Sequence, residues 1–190
     1  MGKGRLEAFS DGVVAIIITI MVLELKTPHG TDWSAIRPFL PALGTYVLSY
    51  VFIGIYWSNH HHMLHAADRV NGKILWANLH LLFWLSLVPF VTGWLGENHF
   101  AKLPAAVYGF VLLMAAVAYQ VLERAIVNLH GPGSRVHRAL GVDIKAVVST
   151  TAYVCAIPLA FVDTRIAFAI YILIAAIWFV PDPRIEKLAP

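Results

Sequence analysis

The chain has 190 residues, 59% of them hydrophobic and 13% charged, with a mean hydropathy of +0.71. Soluble domains carry about 25% charged residues, so this composition excludes a water-soluble globule. The formal net charge of +3 comes from scattered Lys and Arg with no aromatic-interleaved basic stripe, which points to a membrane-orientation signal and excludes a nucleic-acid surface.

Six apolar segments follow one another along the chain. The first carries Lys3 and Arg5 ahead of the run Val13 to Leu23, an arrangement shared with signal peptides. Here the run ends in Glu24-Leu25-Lys26-Thr27-Pro28 without a small-residue cleavage site, and Phe9-Ser10-Asp11-Gly12 interrupts the basic-to-apolar transition. Read over 6–25, the segment is a helix of roughly 30 Å, matching the hydrocarbon core of a bilayer. Further spans are predicted at 39–64, 74–95, 104–128, 140–162 and 165–181. Pro41 and Pro104 fall in first turns, where a missing N–H costs little. Pro89 and Pro158 fall inside the third and fifth spans and are expected to kink them. The run Leu129-His130-Gly131-Pro132-Gly133-Ser134 reads as a loop, and no internal repeat divides the chain. Residues 1–190 therefore read as one all-α membrane unit of six transmembrane helices. Cys155 stands in an apolar run with no second cysteine to pair with in the chain.

An N-terminus inside the cell places Lys3, Arg5, Arg69, Lys73, Arg124, Arg135, Arg138, Lys145, Arg184 and Lys187 on the cytoplasmic side. Lys26, Arg37, Lys102 and Arg165 are left outside, so the bias favours both termini in the cytoplasm.

Polar chemistry concentrates in the first span. An ionised Asp costs about 2.5–3.5 kcal/mol at a bilayer centre and less near an end, so Asp11 is expected to face protein or water and to have a partner. The plain alternative is that Asp11 caps amides at the headgroup level. Gly12, Ile16, Thr19 and Leu23 recur at spacings of four, three and four, which places them on one stripe with Ile20 beside it.

The histidines carry a rival reading. His60, His61, His62 and His65 crowd the end of the second span, and His61, His65 and Asp68 share a helix face. Two His four residues apart can bind a metal, and membrane hydroxylases hold iron with clustered His. Those enzymes need several separated boxes, whereas His29, His80, His99, His130 and His137 form no second one, so no metal site is expected. A proton-coupled transporter using Asp11 and His80 is the other alternative; the paired broken helices usual in that class are missing from the pattern.

The run Arg5-x-x-x-Phe9-Ser10-Asp11-Gly12-Val13-x-Ala15-Ile16-x-x-Thr19 resembles the signature of the bacterial relatives of the lysosomal potassium channel, a family of six-helix membrane proteins. A second block, Leu81-Leu82-Phe83-Trp84-x-Ser86-Leu87-x-Pro89-Phe90-x-Thr92-x-x-Leu95-Gly96-Glu97, is similar to that family's third helix. The resemblance implies a homotetramer in the cell membrane whose first helices line a central pore. Such a pore passes K⁺ with modest preference over Na⁺, with no enzymatic activity and no cofactor, and K⁺ and the lipid bilayer are its partners. It also implies an isoleucine constriction at Ile16, apolar rings at Ile20 and Leu23, and a polar layer at Thr19. The animal first repeat has a serine before the constriction where this chain has Ala15. Within the family, Arg5, Ser10 and Asp11 are expected to join helices through hydrogen bonds. A spacing of six puts Arg5 and Asp11 on different faces, which makes Asn78 or His80 of the third helix the expected bridge. A chain of this size has too few polar residues to enclose a wet channel alone, so a pore belongs on a symmetry axis. A hydrophobic constriction then penalises ions by how tightly they hold water. Glu24 and Asp32 near the outer mouth would raise the local cation concentration.

Overall fold

The computed structural model describes residues 2–179 apart from 133, 135 and 138–143. All of the regular structure among the described residues is helical. The elements are α1 (Lys3–Leu23), the single turn α2 (Trp33–Ile36) running through a 3₁₀ turn (Arg37–Phe39) into α3 (Leu40–Ala66), α4 (Gly72–Ser86), α5 (Val88–Glu97), α6 (Lys102–His130), α7 (Ile144–Val162) and α8 (Thr164–Phe179).

Five helical segments are long and apolar enough to cross a membrane: α1, α2 with α3, α4 with α5, α6 and α7. The sixth, α8, is an apolar helix of 16 described residues. The predicted spans at 140–143 and 180–181 lie outside the described residues. The protein is thus an all-α, multi-pass membrane protein, as the hydropathy requires.

Proline chemistry explains the main departure from six uninterrupted rods. The third span divides at Leu87 into α4 and α5, because Pro89 has no N–H to continue the ladder and its ring excludes the preceding carbonyl. The Leu87 N–H is instead satisfied by Trp84 O, and Leu87 O accepts from Val91 N, so the two halves join through one residue. Pro158 by contrast remains inside α7. The α2 turn ahead of Pro38 was not evident from hydropathy.

Helix α1 packs against α3, α4 and α5, while α6 packs on α4, α5, α7 and α8. Small residues set the closest approaches, as expected where no hydrophobic force drives helices together in lipid. A Cβ added to Gly96 of α5 would come within 2.7 Å of Ala42 Cα on α3. One added to Gly109 of α6 would collide with the Tyr171 hydroxyl of α8, which donates to Ala105 O at 3.1 Å. A buried chain of hydroxyls ties three helices: Thr92 of α5 reaches Ser49 of α3 at 2.7 Å, and Ser49 meets Tyr108 of α6 at 3.0 Å.

Candidate functional site on the first helix

Helix α1 is apolar nearly all round, yet only one side of it is covered by its own chain. Leu6, Ser10, Val14, Ile17 and Met21, spaced four, four, three and four, form the buried face. The side turned away carries Gly12, Ile16, Thr19, Ile20 and Leu23, all exposed, with Ile16 at 57% and Leu23 at 78%. Arg5, seven residues before Gly12, stands on the same outward side and has no side-chain partner among the described residues. The Thr19 hydroxyl donates back to its own helix, 2.9 Å from Ile16 O and 3.0 Å from Ala15 O.

Behind the stripe, the signature residues divide between two separate links. The Ser10 hydroxyl, fully buried, donates to Leu6 O at 2.9 Å and accepts from Asn78 Nδ2 at 2.9 Å. Asn78 Oδ1 lies 2.6 Å from Nε2 of buried His60, so this ring nitrogen carries a proton and donates. Ser10, Asn78 and His60 thereby join α1, α4 and α3, and no buried polar atom of the link is left without a partner. Asp11 takes the other route: its Oδ1 accepts from the Trp57 indole of α3 at 3.0 Å. Its second carboxylate oxygen has no partner among the described residues and Asp11 is exposed.

The structure brings Ser10 and Asn78 together and leaves Arg5 and His80 out of that link. His80 is exposed on α4 and accepts from the Trp84 indole of its own helix at 3.0 Å, because its position falls off the buried Ile74–Ala77–Asn78–Leu81–Leu85 side. The two residues missed from the sequence are His60 and Trp57. A signal for His60 was present: it continues the buried series Thr45, Ser49, Phe52, Ile53 at helical spacing, whereas His61 does not. His61 stacks between Trp57 and His65 on the exposed side of α3, with ring centroids 6.1 and 6.2 Å apart. Among the described residues no group of three or more His, Cys, Asp or Glu is arranged to hold a metal ion. At the opposite end of the span, Glu24 rests its carboxylate by Gly93 of α5, and Lys26 pairs with Glu97 at 2.8 Å. That hydrogen bond and the Glu97 charge raise the Lys26 ammonium above its ordinary pKa. Glu24 and Asp32 both line an open cleft of about 720 Å³ there.

The family model described as the endosomal/lysosomal potassium channel TMEM175 matches residues 5–89, a stretch that includes the outward stripe, Trp57, His60 and Asn78. A potassium channel of Chryseobacterium sp. (strain P1-3) is 52% identical over 187 residues, covering 98% of this chain and 97% of its own length. The chain belongs to the TMEM175 family. A potassium channel of Streptomyces collinus is 33% identical over 202 residues, 99% of this chain and 98% of its own. The crystal structure of a lysosomal potassium-selective channel TMEM175 homolog from Chamaesiphon minutus superposes with a TM-score of 0.79 at 26% identity, covering 93% of this chain and 95% of that one. For a TMEM175 family member, the outward side of α1 and the links behind it become the surfaces to explain.

Proposed function

We propose that this chain is a potassium channel: four copies surround an axis in the cell membrane, with α1 of each copy lining the pore and both termini in the cytoplasm. The observation that carries this reading is the second apolar face of α1. Ile16, Thr19, Ile20 and Leu23 are left uncovered while the opposite side of the same helix is fully used by the protomer. The potassium-channel relatives supply the ion. The copies' Ile16 side chains form the narrowest ring, with Ile20 and Leu23 above it and Thr19 the polar layer between. Dehydration through such a ring costs Na⁺ more than K⁺, because K⁺ holds its water less tightly. Selectivity without a carbonyl filter is correspondingly modest, and Ala15 leaves Thr19 as the sole hydroxyl layer on the stripe.

The signature residues then act as scaffold. Ser10, Asn78 and His60 fix the tilt of α1 on its own bundle. Arg5 and the outer oxygen of Asp11 cannot meet within one helix, and a neighbouring copy about the axis gives each of them a partner. No residue is assigned a catalytic role.

Flux of K⁺ and Na⁺ in proteoliposomes tests the reading, with Ile16→Asn and Leu23→Asn beside the wild type. A conducting wild type whose flux or K⁺/Na⁺ ratio changes in these variants supports it. If both variants conduct and select as the wild type does, α1 does not line the pore.

A further inference from the structure

A second outward feature lies on the other flank of the bundle, between α4 and α6. Asn71, Gly72, Lys73, Trp76, Ala77 and His80 of the α4 side and Val121 and Ala125 of α6 enclose an open groove of about 750 Å³. It sits at the end of the bundle where α1 begins and α3 and α6 finish. Lys3 Nζ donates there to His65 O, Asp68 N donates to His130, and Arg69 donates to Leu129 O. Among the described residues this end holds Lys3, Arg5, Arg69, Lys73, Arg124 and Lys145 against Lys26, Arg37, Lys102 and Arg165 at the other, hence the cytoplasmic leaflet by charge bias.

The groove's lining combines apolar and basic residues. Trp76, 75% exposed, Ala77, Val121 and Ala125 make an apolar wall. Lys73 lines it and is exposed, and Arg124 is exposed on α6 between the lining residues Val121 and Ala125. The ion pairs among the described residues are Lys3–Glu7 and Lys26–Glu97, so neither Lys73 nor Arg124 has an anionic partner there. Of the acids among the described residues at this end, Glu7 is paired, Asp11 is bonded to Trp57 and Glu123 is partnered, which leaves Asp68 in the α3–α4 turn. His80 accepts from Trp84 through Nε2, so in its neutral form Nδ1 carries a hydrogen that meets no acceptor among the described residues.

We propose that this groove holds one anionic phospholipid, its phosphate between Lys73 and Arg124 and its acyl chain along Trp76, Ala77, Val121 and Ala125. Two unpaired cations above an apolar trough match that ligand, since polybasic residues beside a span draw acidic headgroups and an interfacial Trp suits the glycerol level. A neutral or zwitterionic lipid leaves both cations unanswered. A second copy of the chain is the less suitable occupant, because α1, whose outward stripe seeks the axis, packs chiefly on α3, α4 and α5 and leaves α6 behind them. The inference rests on the channel reading only in placing α1 at the axis, and lipid retention is measured apart from K⁺ flux, so either can fail without the other.

The test is lipid retention. Protein reconstituted in vesicles of phosphatidylcholine and phosphatidylglycerol at three to one is extracted in detergent, and lipid bound to the intact assembly is weighed by native mass spectrometry. Wild type is expected to bind phosphatidylglycerol over phosphatidylcholine in a ratio raised about thirtyfold above the vesicle's one to three, the scale two basic contacts of about 1 kcal/mol each give. Lys73→Gln with Arg124→Gln should abolish the enrichment, Trp76→Ala should lower total retention, and Lys3→Gln at the same end should change neither. No enrichment in the wild type overturns the proposal, as does enrichment that survives in the double variant. Dissociation of the assembly by Trp76→Ala also overturns it, since the groove would then be covered by another copy. Should Trp76→Ala fail to fold, the double variant, altered only at exposed positions, still decides.

Discussion

Between their ends, α7 and α8 turn outward Val147, Val148, Val154, Phe161, Ile166, Ile172 and Leu173, and the Thr151 hydroxyl among them is folded back onto Val147 O. The outward set of α1 and α3 is different: Ile16 and Leu23 stand with Asp11, Thr19, Tyr50, Trp57 and His61. Hydrocarbon solvates the first surface completely and the second only in part, because a carboxylate or an imidazole at membrane depth needs water or protein. The difference separates two kinds of exposed apolar residue that hydropathy treats alike. On the proposed assembly, one kind faces lipid as its final environment and the other meets a neighbour or an aqueous axis.

Substitutions that strike one surface and spare the other sharpen this contrast, and the largest effect belongs to the packing behind the lipid side. Gly109→Val drives a methyl into Tyr171 and should destabilise the fold by about 3 kcal/mol, the upper range for overpacking, seen as a lower unfolding temperature in detergent. Next, Asn78→Leu strands His60 and removes the Ser10 contact, with an expected loss of about 2 kcal/mol. Because that link holds α1, the conductance should fall as well, which Gly109 variants at equal folded protein should not show.

Smaller in stability terms, but more telling, is one exchange made on both surfaces. Ile16→Asn should alter K⁺/Na⁺ flux and leave the unfolding temperature nearly unchanged, whereas Leu173→Asn should lower the unfolding temperature and leave flux alone. Equal behaviour of the pair would erase the distinction between the surfaces. The smallest effect is expected at the solvent-exposed Lys26–Glu97 pair, where Glu97→Gln should leave the unfolding temperature unchanged. On the proposed channel reading this pair stands at the outer mouth, and a modest change in cation flux at low salt is the measurement to make.

Much of the fold was legible because hydrocarbon thickness and backbone hydrogen bonding leave helices as the way for these apolar runs to cross. Pro89 marked the division of the third span, although hydropathy alone could not say that the ladder would break fully at Leu87. The site was harder to read. In α1 the inward residues Leu6, Val14, Ile17 and Met21 are as apolar as the outward Ile16, Ile20 and Leu23, so periodicity found a stripe without telling which side the protomer would cover. Four clustered histidines likewise drew attention by number, while the one that matters to the buried link, His60, differs from its neighbours only in rotation about the helix. His80 offered the right chemistry at the wrong angle.

Thr19 carries one last consequence. Its single hydroxyl hydrogen is committed to the carbonyls of Ala15 and Ile16, so what remains toward the outward side is oxygen lone pairs. Repeated around an axis, such a collar contains acceptors and no donors. In the proposed pore it would lend partial ligation to a passing cation between two greasy rings and offer nothing to chloride, giving the conduit its charge sign without a single fixed charge on its narrowest wall.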